Sequence, residues 1–178
     1  QAVIRDEARA MSRRIQDLAA RSTQDLSTRW PLEDMLGADL VSAALRRIET
    51  LPGQRARAGE VNATLWLQVD SFSLLLALAS LASRLADEYD IKLVELRLAS
   101  AGQRAHLDLV WTGPSMSTET VLNWEGEPMK AGPESSPLSV RDVVQRHGGE
   151  FWFERERARQ QTFFRFLLPL AGAQEQLD

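Results

Sequence analysis

The sequence predicts an α+β fold, a two-layer α/β sandwich spanning about residues 54–170. Three observations predict it. Leu65, Leu67 and Val69 alternate with Thr64, Trp66 and Gln68, the period of a half-buried strand. The stretch from Leu74 to Leu85 is apolar on nearly every face, as in a central helix. Two strand-like pairs follow, Ile91–Ala99 with Arg104–Trp111 and Phe151–Glu154 with Thr162–Leu168. Helices against one face of a mostly antiparallel sheet make a two-layer α+β arrangement.

The remaining elements read off in chain order. Ile4, Ala8, Met11, Ile15 and Leu18 form a seam spaced 4, 3, 4, 3, with Arg5, Asp6, Arg13, Arg14 and Asp17 on the other faces. So short a seam needs a partner helix, which predicts half of a dimerising hairpin; packing on its own domain is the alternative. Trp30-Pro31 ends this helix. Asp39 is the expected N-cap of a short helix carrying Val41, Ala44, Leu45 and Ile48, broken by Pro52-Gly53. Asp70 and Ser71 start the central helix, over 71–88. Ala101-Gly102-Gln103 marks a hairpin turn. Thr112–Ser117 reads as a turn and Thr118–Glu125 as a short helix. Residues 126–136, with two glycines and two prolines, read as a mobile loop. Ser136-Pro137 reads as an N-cap followed by proline at the first helical position, opening a helix over 137–147 that stops at Gly148-Gly149. The division that follows is a helical segment at 1–50, a domain at 54–170 and a loose tail at 171–178.

Composition excludes several classes. The net charge of -4 over 178 residues lacks the basic field of a nucleic-acid binder. With no cysteine, disulfide frameworks and thiolate metal sites are excluded. The longest apolar run, Leu74–Ala79, is far short of a membrane span. A cytoplasmic chain is expected, cut from a parent that is free to be membrane-anchored elsewhere. His106 and Asp108 share a strand face, but two ligands do not make a metal site. Trp66, Trp111, Trp124 and Trp152 are read as core or partner-facing rather than as a base-stacking surface.

The motifs carry a resemblance. V-R-D-V-V-Q-R-H-G-G from Val140 to Gly149 runs into E-F-W-F-E, and the chain closes with T-F-F-R-F-L-L-P-L from Thr162 to Leu170. This resembles the C-terminal half of the histidine-kinase catalytic domain of the GHKL (Bergerat-type) ATPase superfamily. Asp70 with its apolar helix resembles the family's N-box, Thr112-Gly113-Pro114 its G1 turn, and Ile4–Leu18 the second helix of its dimerisation hairpin. The resemblance implies a fold of the histidine-kinase ATPase type preceded by a helical dimerisation segment. It also implies ATP and magnesium as ligands, and several positions depart from that pattern. Arg84 falls at or close to the magnesium-binding asparagine, and a cation is no ligand for a hard metal ion. Trp111 replaces the aspartate that accepts from adenine; indole offers a donor only. Ser115 stands at a turn glycine. The glycine-rich phosphate segment corresponds to Glu134–Leu138, where Ser136 precedes a proline that lacks the amide. Ala158-Arg159-Gln160-Gln161 replaces the glycines before the last strand.

From these departures the sequence reading expects a degenerate (pseudo) kinase domain with no catalytic residue and no cofactor, acting as a regulatory and dimerisation module. Its remnant pocket would comprise Arg84, Asp87, Glu88, Trp111, Gly113, Ser115 and Ser136. The alternative is an active ATP-binding sensor kinase, with Asp87 or Glu88 as substitute magnesium ligands. Expected partners are a second copy of the chain through the N-terminal helix and other domains of the parent, with no nucleic acid or membrane contacted directly. Leu138–Arg159 is further similar to bacterial proteins in which such a module precedes a 3′–5′ exonuclease like the DNA polymerase III epsilon subunit. His147 is read as a packing or capping residue.

Overall fold

The computed structural model describes residues 31–172. The seam at 4–18 and most of the tail lie outside the described residues. Among the described residues, nine strands and four helices occur in the order β1 (Glu33–Leu36), α1 (Gly37–Glu49), β2 (Ala56–Val61), β3 (Trp66–Val69), α2 (Ser71–Tyr89), β4 (Val94–Ala101), β5 (Arg104–Thr112), α3 (Thr118–Gly126), β6 (Pro128–Ala131), β7 (Glu134–Ser139), α4 (Val140–Arg146), β8 (Glu150–Glu156) and β9 (Gln161–Pro169).

Five strands form one mixed sheet ordered β2-β4-β5-β9-β8; β2 runs parallel to β4 and the other pairs are antiparallel. Alternation along the strands sends Leu96, Leu98, Leu107, Leu109, Phe164 and Phe166 to one face. There they share a single core with Leu74, Leu78, Leu81 and Leu85 of α2, and Val143 and Val144 of α4. Leu40, Val41, Ala44 and Ile48 of α1 enter the same core, so the helix read as part of the leading segment is built into the sandwich. Each such leucine stabilises the fold by about 1.5–3 kcal/mol relative to exposure. Among the described residues no helix is long and apolar enough to cross a membrane.

Several elements differ from expectation. The strand at 66–69 stays out of the main sheet and pairs antiparallel with β1, and it meets the chain just past β9 through the Leu67–Leu170 bridge and the Ala171 N–H to Trp66 carbonyl bond. The mobile loop expected at 126–136 is largely a hairpin, β6–β7, with Gly132 in the left-handed region at its tip. Pro137 lies in β7 where the register shifts and no ladder N–H is required. The last helix starts instead at Ser139, whose hydroxyl accepts from the Asp142 N–H while the Asp142 carboxylate accepts from the Ser139 N–H. That reciprocal capping box satisfies two amides, which Ser136-Pro137 has no means to match. Helix α1 likewise starts after Leu36, with Asp39 inside its first turn rather than at its cap.

The His-Gly-Gly segment shows two different uses of glycine. Gly148 has φ of 61° and ends α4 in open space. Gly149 lies against the Leu167 carbonyl so closely that any Cβ would collide with backbone. We therefore expect Gly148→Ala to cost about 1–2 kcal/mol, the left-handed penalty, and Gly149→Ala to cost more, because β8 must move away from β9. Chemical denaturation of the two variants checks the order.

Candidate functional site

One end of α2, the turn after β5 and the β6–β7 hairpin bring together most of the residues singled out by sequence. Trp111, the last buried position of β5, is 2% exposed and packs on Phe164 with ring centroids 5.1 Å apart. Its indole Nε1 donates to the Pro114 carbonyl at 2.9 Å, which folds the following turn back over the ring. Gly113 in that turn has φ of 139°, and its Cα faces the Ile91 side chain. Ser115 is exposed, and the next residue, Met116, returns to the core.

Trp124 from α3 completes the aromatic group. It is 4% exposed, 6.1 Å from the Phe164 ring and edge-on to Tyr89 at 5.8 Å. Arg84 lies over its indole at 5.5 Å. The Arg84 guanidinium also hydrogen-bonds the Glu127 carboxylate and stands 3.9 Å from Glu88 one turn on. Asp87 is exposed beside them. Arg84, Glu88 and Trp111 thus belong to one neighbourhood. Ser136 sits in β7, where its hydroxyl accepts from the Leu138 N–H.

Hairpin β6–β7 covers α2. The Lys130 N–H donates to the Ser80 hydroxyl at 3.3 Å, and Met129 and Ala131 are buried in the common core. Arg47 of α1 pairs with Glu134 of β7. Glu127, the residue that engages Arg84, carries no sequence signal, since its partner lies 43 residues away.

The other end of α2 is held by a second cluster. The Asp70 carboxylate accepts from the Ser73 N–H as N-cap and from Arg146 Nε at 3.0 Å. His147, 3% exposed, sits with Nδ1 2.7 Å from the Val143 carbonyl, while its Nε2 accepts from the Asp70 N–H at 3.0 Å. These contacts place the ring proton on Nδ1. The capping role expected of His147 is therefore realised, with the start of α2 as its target. Of the four tryptophans considered, Trp111 and Trp124 are core and Trp66 is 52% exposed. Trp152 stands edge-on to His106 at 6.0 Å. Among the described residues no cluster suits a metal ion.

This architecture recurs in solved structures. The catalytic domain of histidine kinase ThkA matches over 78% of this chain and 95% of its own, at 14% identity and a TM-score of 0.57. The fold is that of the histidine-kinase catalytic domain. The ATP binding domain of PrrB from Mycobacterium tuberculosis matches over 78% of this chain and 96% of its own, at 15% identity and a TM-score of 0.58. The Acinetobacter baumannii histidine kinase AdeS matches over 93% of this chain and 81% of its own, at 15% identity and a TM-score of 0.58. No protein-family model matches the chain, and no curated protein sequence does.

The likeness corrects one expectation. A chain that needs no cofactor was expected from the altered positions, yet its fold is shared with a domain named for binding ATP. The altered positions are local, whereas the fold as a whole is shared. The Trp111 indole fills the space at the end of β5, and Arg84 engages Glu127 and Glu88, carboxylates of the donor type magnesium requires.

Burial pushes the His147 imidazole below its ordinary value, outweighing the opposing Val143 hydrogen bond and Asp70 charge. The unfolded chain therefore binds the proton more readily. The stability from neutral His147 is complete above the unfolded value of about 6.5 and is lost as pH falls from there toward the lower folded value. His106 is also shifted down, first by burial and then by Arg165. We expect thermal melts between pH 8 and pH 5 to show a steeper loss of Tm in the native chain than in His147→Gln. The difference between the two curves isolates His147.

Proposed function

We propose that this chain is the ATPase-type module of a two-component signalling protein, taking ATP with magnesium between α2, the turn after β5 and the β6–β7 hairpin. The supporting observation is the fold likeness to histidine-kinase catalytic domains over 78% of the chain, one of them named as an ATP binding domain. In this reading the hairpin is the cover of the site, and the Arg84–Glu127 pair keeps it closed. Glu88 and Glu127 face Arg84, with Asp87 adjacent, so a metal ion bound there would require Arg84 to release these carboxylates.

Arg84 favours a second reading. A guanidinium holds phosphate directly and bidentately without a metal. The domain then uses nucleotide as a regulatory ligand, without phosphoryl transfer, and passes the signal to other domains of its parent. An exonuclease beyond residue 178, as the sequence resemblance implies, is one such domain. In both readings residues 1–29 dimerise the chain and the domain works in the cytoplasm.

Calorimetry with ATP separates the readings. The first expects saturable binding that weakens about tenfold or more, roughly 1.4 kcal/mol, when magnesium is chelated. The second expects binding indifferent to chelation and lost in Arg84→Ala. No saturable heat up to millimolar ATP rejects both. For assembly, light scattering of Met11→Glu/Ile15→Glu is expected to give the monomer mass where the native chain gives the dimer, because unpaired charge is excluded from an apolar seam.

A further inference from the structure

We propose that the sheet face turned away from the helices carries a binding site for a small amphipathic anion, one with an apolar body and a terminal phosphate or carboxylate. The site is a cleft of about 260 Å³ where the loop after α2 meets the ends of β2, β5 and β9. Cross-strand register builds it. Arg57 pairs with Glu95, Glu95 with Val110, and Thr112 with Gln161.

The floor is apolar, with Val110 1% and Ile91 7% exposed. The rim is cationic, with Arg55, Arg57 and Lys92 all lining the opening. Their charges are unequally spent. Glu95 is shared by Arg57 at 3.0 Å and Arg97 at 2.6 Å. Burial alone would raise the Glu95 carboxyl, but those two guanidinium hydrogen bonds outweigh it and keep it ionised, below its usual range. Glu95 is thus a neutralised wall rather than a repulsive one. Lys92 lies 3.5 Å from the exposed Asp90 carboxylate, a pair weakened by solvent. Among the described residues nothing pairs with the Arg55 guanidinium. The Gln161 side-chain oxygen accepts from Arg97 at 2.8 Å, which leaves its amide N–H groups for a ligand.

The wall is rigid before any ligand arrives. Gln54, 3% exposed, donates to the Ala82 carbonyl at 2.8 Å and the Ile91 carbonyl at 3.0 Å. Its side-chain oxygen accepts from the Arg55 N–H at 3.0 Å. Arg55 and the loop are further stitched by the Arg55 N–H to Lys92 carbonyl bond and the Val94 N–H to Arg55 carbonyl bond. A braced wall removes ordering cost from binding. An apolar floor with few convergent polar groups is the usual composition of a small-molecule site.

The test is an amide NMR titration at fixed ionic strength without nucleotide, so its result is separate from the ATP reading. The probes are phenyl phosphate, benzoate and inorganic phosphate. Phenyl phosphate or benzoate is expected to shift Lys92, Thr112 and Gln161 saturably, and which of the two binds tighter identifies the head group. Inorganic phosphate, with no apolar body, is expected to bind more weakly. Arg55→Ala should weaken the organic anion about tenfold or more, Arg55→Lys should restore part of the loss, and Arg141→Ala, an exposed change on α4 across the sheet, should have no effect. Absent or scattered shifts, equal binding of inorganic phosphate, or an unchanged response in Arg55→Ala would overturn the proposal. Unchanged Tm in the variants confirms that a loss is local.

Discussion

The placement of α2 depends on a hydrogen bond made by a single backbone amide. The first amides of a helix have no partner within it, and the residue before α2 must also be held at the correct depth against the sheet. His147 accepts the Asp70 N–H, while the Asp70 side chain accepts from Ser73 and from Arg146. One residue thereby caps α2 and ties it to the last turn of α4. From that junction the register of α2 is fixed, and with it the positions of Ser80 under the hairpin and Arg84 near Trp124. Because the bond requires a neutral Nε2, the anchoring of the central helix is linked to proton concentration.

At the opposite end of α2, aromatic area rather than hydrogen bonding holds the structure. Phe164 touches Trp111, Trp124 and Phe151 at once, with centroids 5.1, 6.1 and 5.3 Å away. An indole at position 111 does more than offer no acceptor. It adds volume, and the Pro114 carbonyl that closes on Nε1 holds that volume in place. Arg84 then stacks on Trp124 and draws in Glu127. On the proposed reading, a nucleotide has to be accommodated beside these groups or displace them.

The sandwich was legible because its elements differ in period. The alternation of β4, β5 and β9 and the all-round apolar α2 leave few other arrangements. Strands β1 and β2 were not legible: Glu33–Leu36 is too short to show a period, and Ala56–Val61 is interrupted by Gly59 and has no fully buried position. Residues 126–136 were misread because glycine and proline serve a tight hairpin as well as a loop. At the site, Trp111 and Arg84 stood out against the family pattern and the structure sets them in one neighbourhood. What they touch was hidden: no local spacing links Arg84 to Glu127 or Asp70 to His147. The expectation of no cofactor runs against the fold, because side-chain identity was read without the shared architecture around it.

The cover over α2 is a hydrogen-bonded ribbon rather than a loose strand. Its backbone groups pair with each other along β6 and β7, so detachment from α2 leaves that ladder intact. What must give way lies between ribbon and body: the Arg84–Glu127 and Arg47–Glu134 ion pairs, the Ser80–Lys130 contact and the burial of Met129 and Ala131 in the core. Such a part travels as a stiff flap between Gly126 at one root and the capped start of α4 at the other. Its departure is sensitive to salt, which screens the two ion pairs, and it avoids the entropy change of a segment that melts and refolds.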